Sequence, residues 1–211
     1  MHRFDRSRRA LAYALAGLAG YVDAIGYLSM DRYFVSFMSG NTTRVGVDLL
    51  EAPERAWIAG ALVAGFVAGV VLGALISDSA GPRRKPAVLA VVALLLAGSA
   101  AALAMDQPSV ELGLLVLAMG VLNNTFRRDG EVAFGLTYMT GALVRIGQGI
   151  ASQLRASGSR DWPSYLALWI SLALGATAGA GCWFHLADAA LWMAALAAVS
   201  LALATIRLRD A

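Results

Sequence analysis

Cysteine and histidine are scarce in this chain of 211 residues. A single cysteine, Cys182, excludes an intrachain disulfide scaffold. The two histidines are His2 and His185, and no set of His, Cys or carboxylate residues has metal-ligand spacing, so we expect no metal and no other cofactor. The sequence also lacks a Ser–His arrangement inside an apolar segment and a phosphate-binding glycine loop followed by lysine. We therefore expect a protein that is not an enzyme.

Charge is scarce as well. Charged residues make up 15 % of the chain, whereas soluble domains have about 25 %. Apolar residues make up 59 %, and the mean hydropathy is +0.65. A soluble domain of this length cannot bury so much apolar surface, and disordered chains have the opposite composition. The composition therefore predicts an integral membrane protein with the lipid bilayer as its main partner.

Long uncharged runs separate the charged clusters. About 20 apolar residues cross the hydrocarbon core of a bilayer, and four runs meet this length or approach it closely. Two further candidates each contain one carboxylate, Asp23 in the first and Glu111 at the edge of the second. The six predicted spans are residues 10–30, 56–77, 86–105, 110–126, 162–187 and 189–206.

Basic residues predict the orientation of these spans. With both termini in the cytoplasm, 13 of the 17 positive charges lie inside, and the outer loops are mainly acidic. This asymmetry accounts for the net charge of +3 without nucleic acid as a partner. The inner positive charges are Arg3, Arg6, Arg8, Arg9, Arg83, Arg84, Lys85, Arg127, Arg128, Arg155, Arg160, Arg207 and Arg209. The outer acidic residues are Asp31, Glu51, Glu54, Asp106, Glu111 and Asp188.

Two polar segments, residues 33–50 and 137–154, reveal an internal repeat. The run Phe37 to Gly40 (FMSG) matches Tyr138 to Gly141 (YMTG), and Arg44 matches Arg145, always at an offset of 101 residues. The third span matches the sixth at the same offset, and the second matches the fifth at an offset of 106. The whole chain, residues 1–211, is therefore one membrane domain made of two copies, about 10–105 and about 110–206.

An odd number of spans per copy predicts that the second copy enters the membrane upside down. The predicted fold is all-α, with six transmembrane helices in two inverted three-helix repeats, each carrying a broken or re-entrant polar segment. Gly40 and Gly141 are the points where we expect the helices to break. Two alternatives remain: the segments are amphipathic helices in the membrane interface, or they are full spans. Eight full spans would put Arg83, Arg84 and Lys85 outside, against the positive-inside rule.

Polar residues inside the predicted membrane segments are the candidate functional site. A carboxylate in a span needs a partner, a proton or water, so we expect Asp23 to form an ion pair with Arg44 or Arg145. Such a pair either serves a substrate or proton pathway or only locks the two halves together. The candidate substrate-binding residues are Asp23, Ser39, Gly40, Asn41, Thr42, Arg44, Asn123, Asn124, Thr140, Gly141, Arg145 and Gln148.

Glycines at four-residue spacing mark close helix contacts. Gly65, Gly69 and Gly73 share one face of the second span, and Gly175 and Gly179 repeat the spacing in the fifth. Such faces serve either packing between the repeats or a homodimer interface, and the sequence favours neither.

Several motifs resemble those of the YoaK-like family of small bacterial inner-membrane proteins, whose shared domain has no known function. They are GYVDAIGYL (20–28), FMSGNTT (37–43), YMTGAL (138–143) and the pair Asn123–Asn124. The family usually has Thr-Gly-Asn where this chain has Ser39–Gly40–Asn41, and Gln-Asn where it has Asn123–Asn124. The resemblance implies a multi-pass protein of the bacterial inner membrane and supplies no substrate.

The repeat and its polar segments are typical of transporters and channels. The sequence thus predicts a transporter or channel for a small polar solute or ion. The alternative is a membrane scaffold or sensor that transports nothing, in which the intramembrane charges are only structural.

Overall fold

Eight α-helices form the described part of the fold. A computed structural model describes residues 6–29, 31–128, 131–132, 137–155, 161–187 and 189–206. Of the charges used above to predict orientation, Arg3, Arg160, Asp188, Arg207 and Arg209 lie outside the described residues. The helices are α1 (Arg6–Ser29), α2 (Met38–Glu51), α3 (Pro53–Ala80), α4 (Arg84–Ala104), α5 (Pro108–Leu122), α6 (Met139–Leu154), α7 (Trp162–Leu186) and α8 (Ala189–Ile206).

Four helical stretches are long and apolar enough to cross a bilayer. They are Arg6–Ser29, Pro53–Ala104, Trp162–Leu186 and Ala189–Ile206. The second stretch contains both α3 and α4, which a 3₁₀ turn at Gly81–Arg83 separates. Gly81 has a φ of 53°, a left-handed conformation that glycine adopts without strain, and Pro82 follows it. The predicted all-α membrane architecture is confirmed at this level.

Helix α5 is shorter than the span predicted for residues 110–126. It has 15 residues and ends at Leu122, so its length is about 22 Å. Asn123 and Asn124 therefore lie in the turn after α5 and not within a helix. A short antiparallel pairing of Arg127–Arg128 with Glu131–Val132 follows this turn. Glu111, which the sequence assigns to the outer edge of this span, is buried in the first turn of α5.

The two halves of the chain pack mainly against each other. Helix α1 lies against α7, α3 lies against α5, and α4 lies against α8. The first helix of each half thus contacts the third helix of the other half. One apolar cluster joins most of these helices, with Leu15, Leu89, Leu96, Leu115 and Met119 among its fully buried members.

Glycines make these contacts between the halves close. A Cβ atom on Gly175 would collide with the backbone of Gly17, and one on Gly179 would collide with the backbone of Tyr21. Gly69 meets Leu117 and Gly120 of α5, Gly73 meets Val121 and Asn124, and Gly65 lies close to Val116. The glycine faces of α3 and α7 are therefore occupied within the chain. A homodimer through them would have to separate these helix pairs.

Each polar segment contains one unbroken helix that begins two residues before its glycine, so the helices do not break at Gly40 or Gly141. Gly40 lies in the first turn of α2, and Gly141 lies in the first turn of α6. Each glycine therefore lies at a helix start and not in a helix interior, where glycine is destabilising by about 0.5–1 kcal/mol relative to alanine. The interruption comes before each helix. In the first half, residues 31–37 fold back beside α1, where Val35 contacts Gly26.

Replacing Gly120 by alanine should destabilise the protein, because the new methyl group would meet the backbone of Phe66 and Gly69. We expect the free energy of unfolding to fall by about 1–3 kcal/mol, as overpacking does in other cores. Gly113→Ala in the same helix is the matched control, since a Cβ atom at position 113 has no neighbour within 4 Å. Reversible unfolding in mixed micelles measures both, and equal changes would contradict the role of the α3–α5 contact.

Candidate functional site

Both polar segments open onto one cavity of about 270 Å³. Its walls are the starts of α2 and α6, the residues just before each helix, and one ring from α3. Two stretches about 100 residues apart in the sequence therefore share one site. The lining residues are Ser36, Phe37, Met38, Ser39, Phe66, Thr137, Tyr138, Met139, Thr140 and Gly141.

The lining residues come in pairs that the repeat relates. Each half supplies a hydroxyl residue, an aromatic residue, a methionine and a second hydroxyl residue in the same order. At the offset of 101 residues the pairs are Ser36 with Thr137, Phe37 with Tyr138, Met38 with Met139, and Ser39 with Thr140. Phe66 is a further aromatic residue in the lining.

Two helix starts border this cavity. Phe37 precedes α2 and Tyr138 precedes α6, and neither gives its helix a side-chain cap. First-turn N–H groups carry a partial positive charge because they lack intrahelical acceptors. The cavity therefore offers hydroxyl groups beside two helix starts, while the side chains of its described lining residues carry no formal charge.

The predicted ion pair of Asp23 is wrong. In the described part of the chain, the Asp23 carboxylate pairs with neither Arg44 nor Arg145: its Oδ1 atom accepts hydrogen bonds from the backbone N–H of Val35 (3.0 Å) and of Ser36 (2.8 Å). The segment that folds back beside α1 brings these donors to the carboxylate. Buried N–H groups need an acceptor, and Oδ1 of Asp23 serves both. Asp23 lies in the last third of α1 and fixes the segment ahead of α2.

Arg44 and Arg145 stack on aromatic rings away from the cavity lining. The Arg44 guanidinium lies 4.1 Å from the centre of the Tyr33 ring, and its Nε atom is 3.8 Å from Asp48 Oδ2. It also donates to the backbone carbonyl of Asp31 (3.2 Å). Arg145 lies 5.2 Å from the ring of Tyr165 on α7. Cation–π contact thus takes the place of the predicted pairing with Asp23.

Asn41 holds the backbone of the first segment rather than lining the cavity. It is fully buried. Its Nδ2 atom donates to the carbonyl of Phe34 (2.7 Å), and its Oδ1 atom accepts from the N–H of Phe34 (3.1 Å). One side chain therefore satisfies both polar groups of one residue outside a helix. Because the segment leads directly to Ser36 and Phe37, Asn41 positions one wall of the cavity.

The paired asparagines after α5 connect the second half to the cavity. Asn123 donates to the carbonyl of Met119 (2.9 Å), and its Oδ1 atom accepts from the hydroxyl of Thr137 (3.3 Å). Asn124 donates to the carbonyl of Val70 on α3 (3.0 Å). Both side chains are buried. Asn123 therefore reaches a lining residue, and Asn124 joins the two halves.

The structure thus divides the candidate residues into three groups. Ser39, Thr140 and Gly141 line the cavity. Asp23, Asn41 and Asn123 bond to the residues beside or within it. The remaining candidates contribute elsewhere or lie on the surface: Gly40, Thr42, Arg44, Asn124, Arg145 and Gln148.

Seven lining residues are not among the candidates predicted from the sequence: Ser36, Phe37, Met38, Phe66, Thr137, Tyr138 and Met139. Six of them are repeat partners within or directly before the FMSG and YMTG motifs, so the repeat is the signal that identifies them. Phe66 has no such signal, since its position depends on how α3 packs. Within the described residues, no group of three or more His, Cys, Asp or Glu side chains could hold a metal ion.

Removing the Asn41 side chain should loosen the first cavity wall. Asn41→Ala leaves the buried N–H and C=O of Phe34 without their partners, so we expect a loss of about 1–3 kcal/mol in unfolding free energy. Thr42→Ala is the matched control, because that exposed hydroxyl bonds only to Met38 of its own helix. Thermal unfolding in detergent compares them; an Asn41→Ala protein as stable as Thr42→Ala would refute the positioning role.

Comparison with known proteins gives a family and two named relatives. The family model described as protein of unknown function (DUF1275) matches residues 11–204. The UPF0700 transmembrane protein RA0705 of Rhizobium meliloti (strain 1021) is 38 % identical over 199 residues, which cover 94 % of this chain and 86 % of the relative. The UPF0700 transmembrane protein YoaK of Bacillus subtilis (strain 168) is 27 % identical over 157 residues, covering 70 % and 69 %.

No solved structure matches the chain. The family model covers nearly all of the described helices, and the relatives are named as transmembrane proteins. The resemblance to the YoaK-like family is confirmed, and the protein is a multi-pass membrane protein. The chain belongs to the DUF1275 family of proteins of unknown function.

Proposed function

We propose that this protein is a transporter or channel of the bacterial inner membrane, without catalytic activity, for a small polar solute or ion. The observation that carries the proposal is the shared cavity between the starts of α2 and α6. Irregular backbone is tolerated at membrane depth only where protein buries it or where it lines a polar cavity. Two segments of irregular backbone at one cavity cost stability that a scaffold has no reason to lose, whereas a transport pathway needs such a polar cavity.

The helix arrangement supports an inverted repeat with six spans. We count α1, α3, α4, α5, α7 and α8 as the spans, which gives three per half and cytoplasmic termini. Helix α2 then belongs to the outer half and α6 to the inner half. The contacts agree with this symmetry, because α1 with α7 corresponds to α5 with α3, and α2 with α3 corresponds to α6 with α7.

The short helices support the re-entrant alternative over an interfacial one. The segment before α2 returns along α1 to the level of Asp23, which is six residues, or about 9 Å, from the end of α1. Helix α2 then runs from this depth to Glu51, next to the start of α3. An interfacial helix would stay at the level of the α1 terminus. The N-terminus of α2 lies deeper.

The lining narrows the class of solute. Ser36, Ser39, Thr137 and Thr140 supply hydroxyl groups, and the remaining contacts are aromatic, thioether or backbone groups. A volume of about 270 Å³ holds a solute of only a few heavy atoms with its water. We therefore favour a small, polar solute that binds without a buried ion pair. Asp23 then positions the first wall of the cavity and is not part of a substrate or proton pathway.

Thiol chemistry at the two lining hydroxyls tests the shared pathway. Cys182→Ala gives a background without cysteine, into which Ser39→Cys and Thr140→Cys are introduced singly and together. We expect a short bifunctional maleimide to join the double variant within one chain. Thr177→Cys with Ser39→Cys is the control, because Thr177 is exposed on α7 and lies outside the cavity lining. Failure to join positions 39 and 140 would contradict the shared cavity.

Flux into proteoliposomes tests transport itself. Small polyols, neutral amino acids, alkali cations and halides are suitable probes, and at least one should enter faster than into protein-free vesicles. A bulky thiol reagent should lower that flux at least tenfold in Ser39→Cys or Thr140→Cys and leave Thr177→Cys unchanged. A correctly joined double variant that moves none of these probes would favour the scaffold or sensor alternative.

A further inference from the structure

A second cavity of about 460 Å³ lies between the first turns of α3 and α5. This second cavity shares no lining residue with the cavity between the starts of α2 and α6. Helices α3 and α5 touch where Gly69 meets Gly120, but nearer their starts the cavity lies between them. We call it the α3–α5 cleft. It is lined by Ser29, Asp31, Tyr33, Trp57, Ile58, Ala61, Leu62, Gly65, Pro108, Ser109, Leu112, Gly113 and Val116.

The α3–α5 cleft changes from polar to apolar along its depth. Ser29, Asp31 and Ser109 lie at or beside helix ends, whereas Leu62 and Val116 lie two to three turns inside α3 and α5. Leu112 itself is only about one turn from the start of α5, and Val116 lies a further turn inside. From Ser109 to Val116 is seven residues, or about 10 Å along the helix. A membrane phospholipid has the same polarity gradient, with its polar headgroup at the interface and its acyl chains in the hydrocarbon.

The rim of the cleft has the features of a membrane interface. Trp57 is 68 % exposed one turn into α3, where tryptophan side chains anchor proteins at the headgroup level. Asp31 is the one residue with a formal charge among the described residues that line the cleft. The Arg44 guanidinium stacks on Tyr33 and donates to the Asp31 carbonyl, so the rim offers a carboxylate for an ammonium group and a guanidinium beside it for a phosphate.

We propose that the α3–α5 cleft binds one acyl chain of an outer-leaflet phospholipid whose headgroup carries an ammonium group beside Asp31. Leu62, Leu112 and Val116 would contact the chain, and Gly113 leaves room for it, since a Cβ atom there has no neighbour within 4 Å. Phosphatidylethanolamine has this chemistry. The site is independent of the proposed transport pathway and needs no transported solute.

Tryptophan quenching by brominated lipids tests this site. In a variant that keeps only Trp57, the other four tryptophans are replaced by phenylalanine. Brominated phosphatidylethanolamine should quench Trp57 at lower mole fractions than brominated phosphatidylglycerol. We expect a preference of about two- to fivefold, the range of a partly exposed ion pair.

Two substitutions test the acyl-chain contact and the headgroup contact separately. Gly113→Leu places a larger side chain in the cleft at a position where a Cβ atom meets nothing within 4 Å. It should leave only the quenching of the exposed Trp57 by surrounding bilayer lipid, with no preference for phosphatidylethanolamine. Asp31→Asn should keep the quenching and lose the preference between headgroups. Asparagine suits this position because Asp31 has a φ of 39°, a conformation that Asn tolerates.

Native mass spectrometry of the unaltered protein supplies a second measurement if the single-tryptophan variant does not fold. After mild detergent extraction we expect one retained phosphatidylethanolamine, which Gly113→Leu loses. Equal quenching by both lipids with no effect of Gly113→Leu would overturn the proposal. So would a retained anionic lipid, or a water-soluble solute that displaces the quencher from the cleft.

Discussion

The backbone outside the helices must find hydrogen-bond partners in an apolar environment, and this constraint organises the first half of the protein. Four backbone groups on three residues after α1 depend on two side chains: Asp23 accepts from the N–H groups of Val35 and Ser36, and Asn41 pairs with both the N–H and the C=O of Phe34. Unpaired, each such group would cost more than a typical hydrogen bond contributes. These bonds hold the segment beside α1 and thereby decide where α2 begins and where the cavity opens.

The second half reaches the same cavity with different side chains. Asp23 corresponds to Asn124, Asn41 to Ala142, and Asp48 to Gly149. The lining residues keep their chemical types in both copies, but the bonds that position them do not. Asn123 reaches Thr137, and Asn124 bonds to α3 instead. The repeat therefore preserves the lining residues, which a solute would contact, better than it preserves the residues that position them.

Glycine contacts explain how two halves of one chain enclose a site between them. Because α1 packs on α7 and α3 packs on α5, each half has helix faces that the other half covers. The backbones meet directly at Gly17 with Gly175 and at Gly69 with Gly120, which larger side chains would prevent. In lipid, where apolar side chains gain little by leaving the solvent, such close packing is a main source of helix association.

Composition and hydropathy indicated the membrane class and most of the helical segments, because these depend on local hydrophobicity. The motifs at residues 20–28, 37–43 and 138–143 indicated the family by resemblance, and the matches at an offset of 101 residues suggested two copies. The motifs around Ser39 and Thr140 also follow from the repeat. Only the tertiary structure decided the partner of Asp23, because a carboxylate accepts from arginine or from backbone amides equally well in principle. The fold-back of residues 31–37 brought the amides closer. The tertiary structure likewise decided that Phe66 lines the cavity and that the glycine faces serve internal contacts, since both depend on which helices meet.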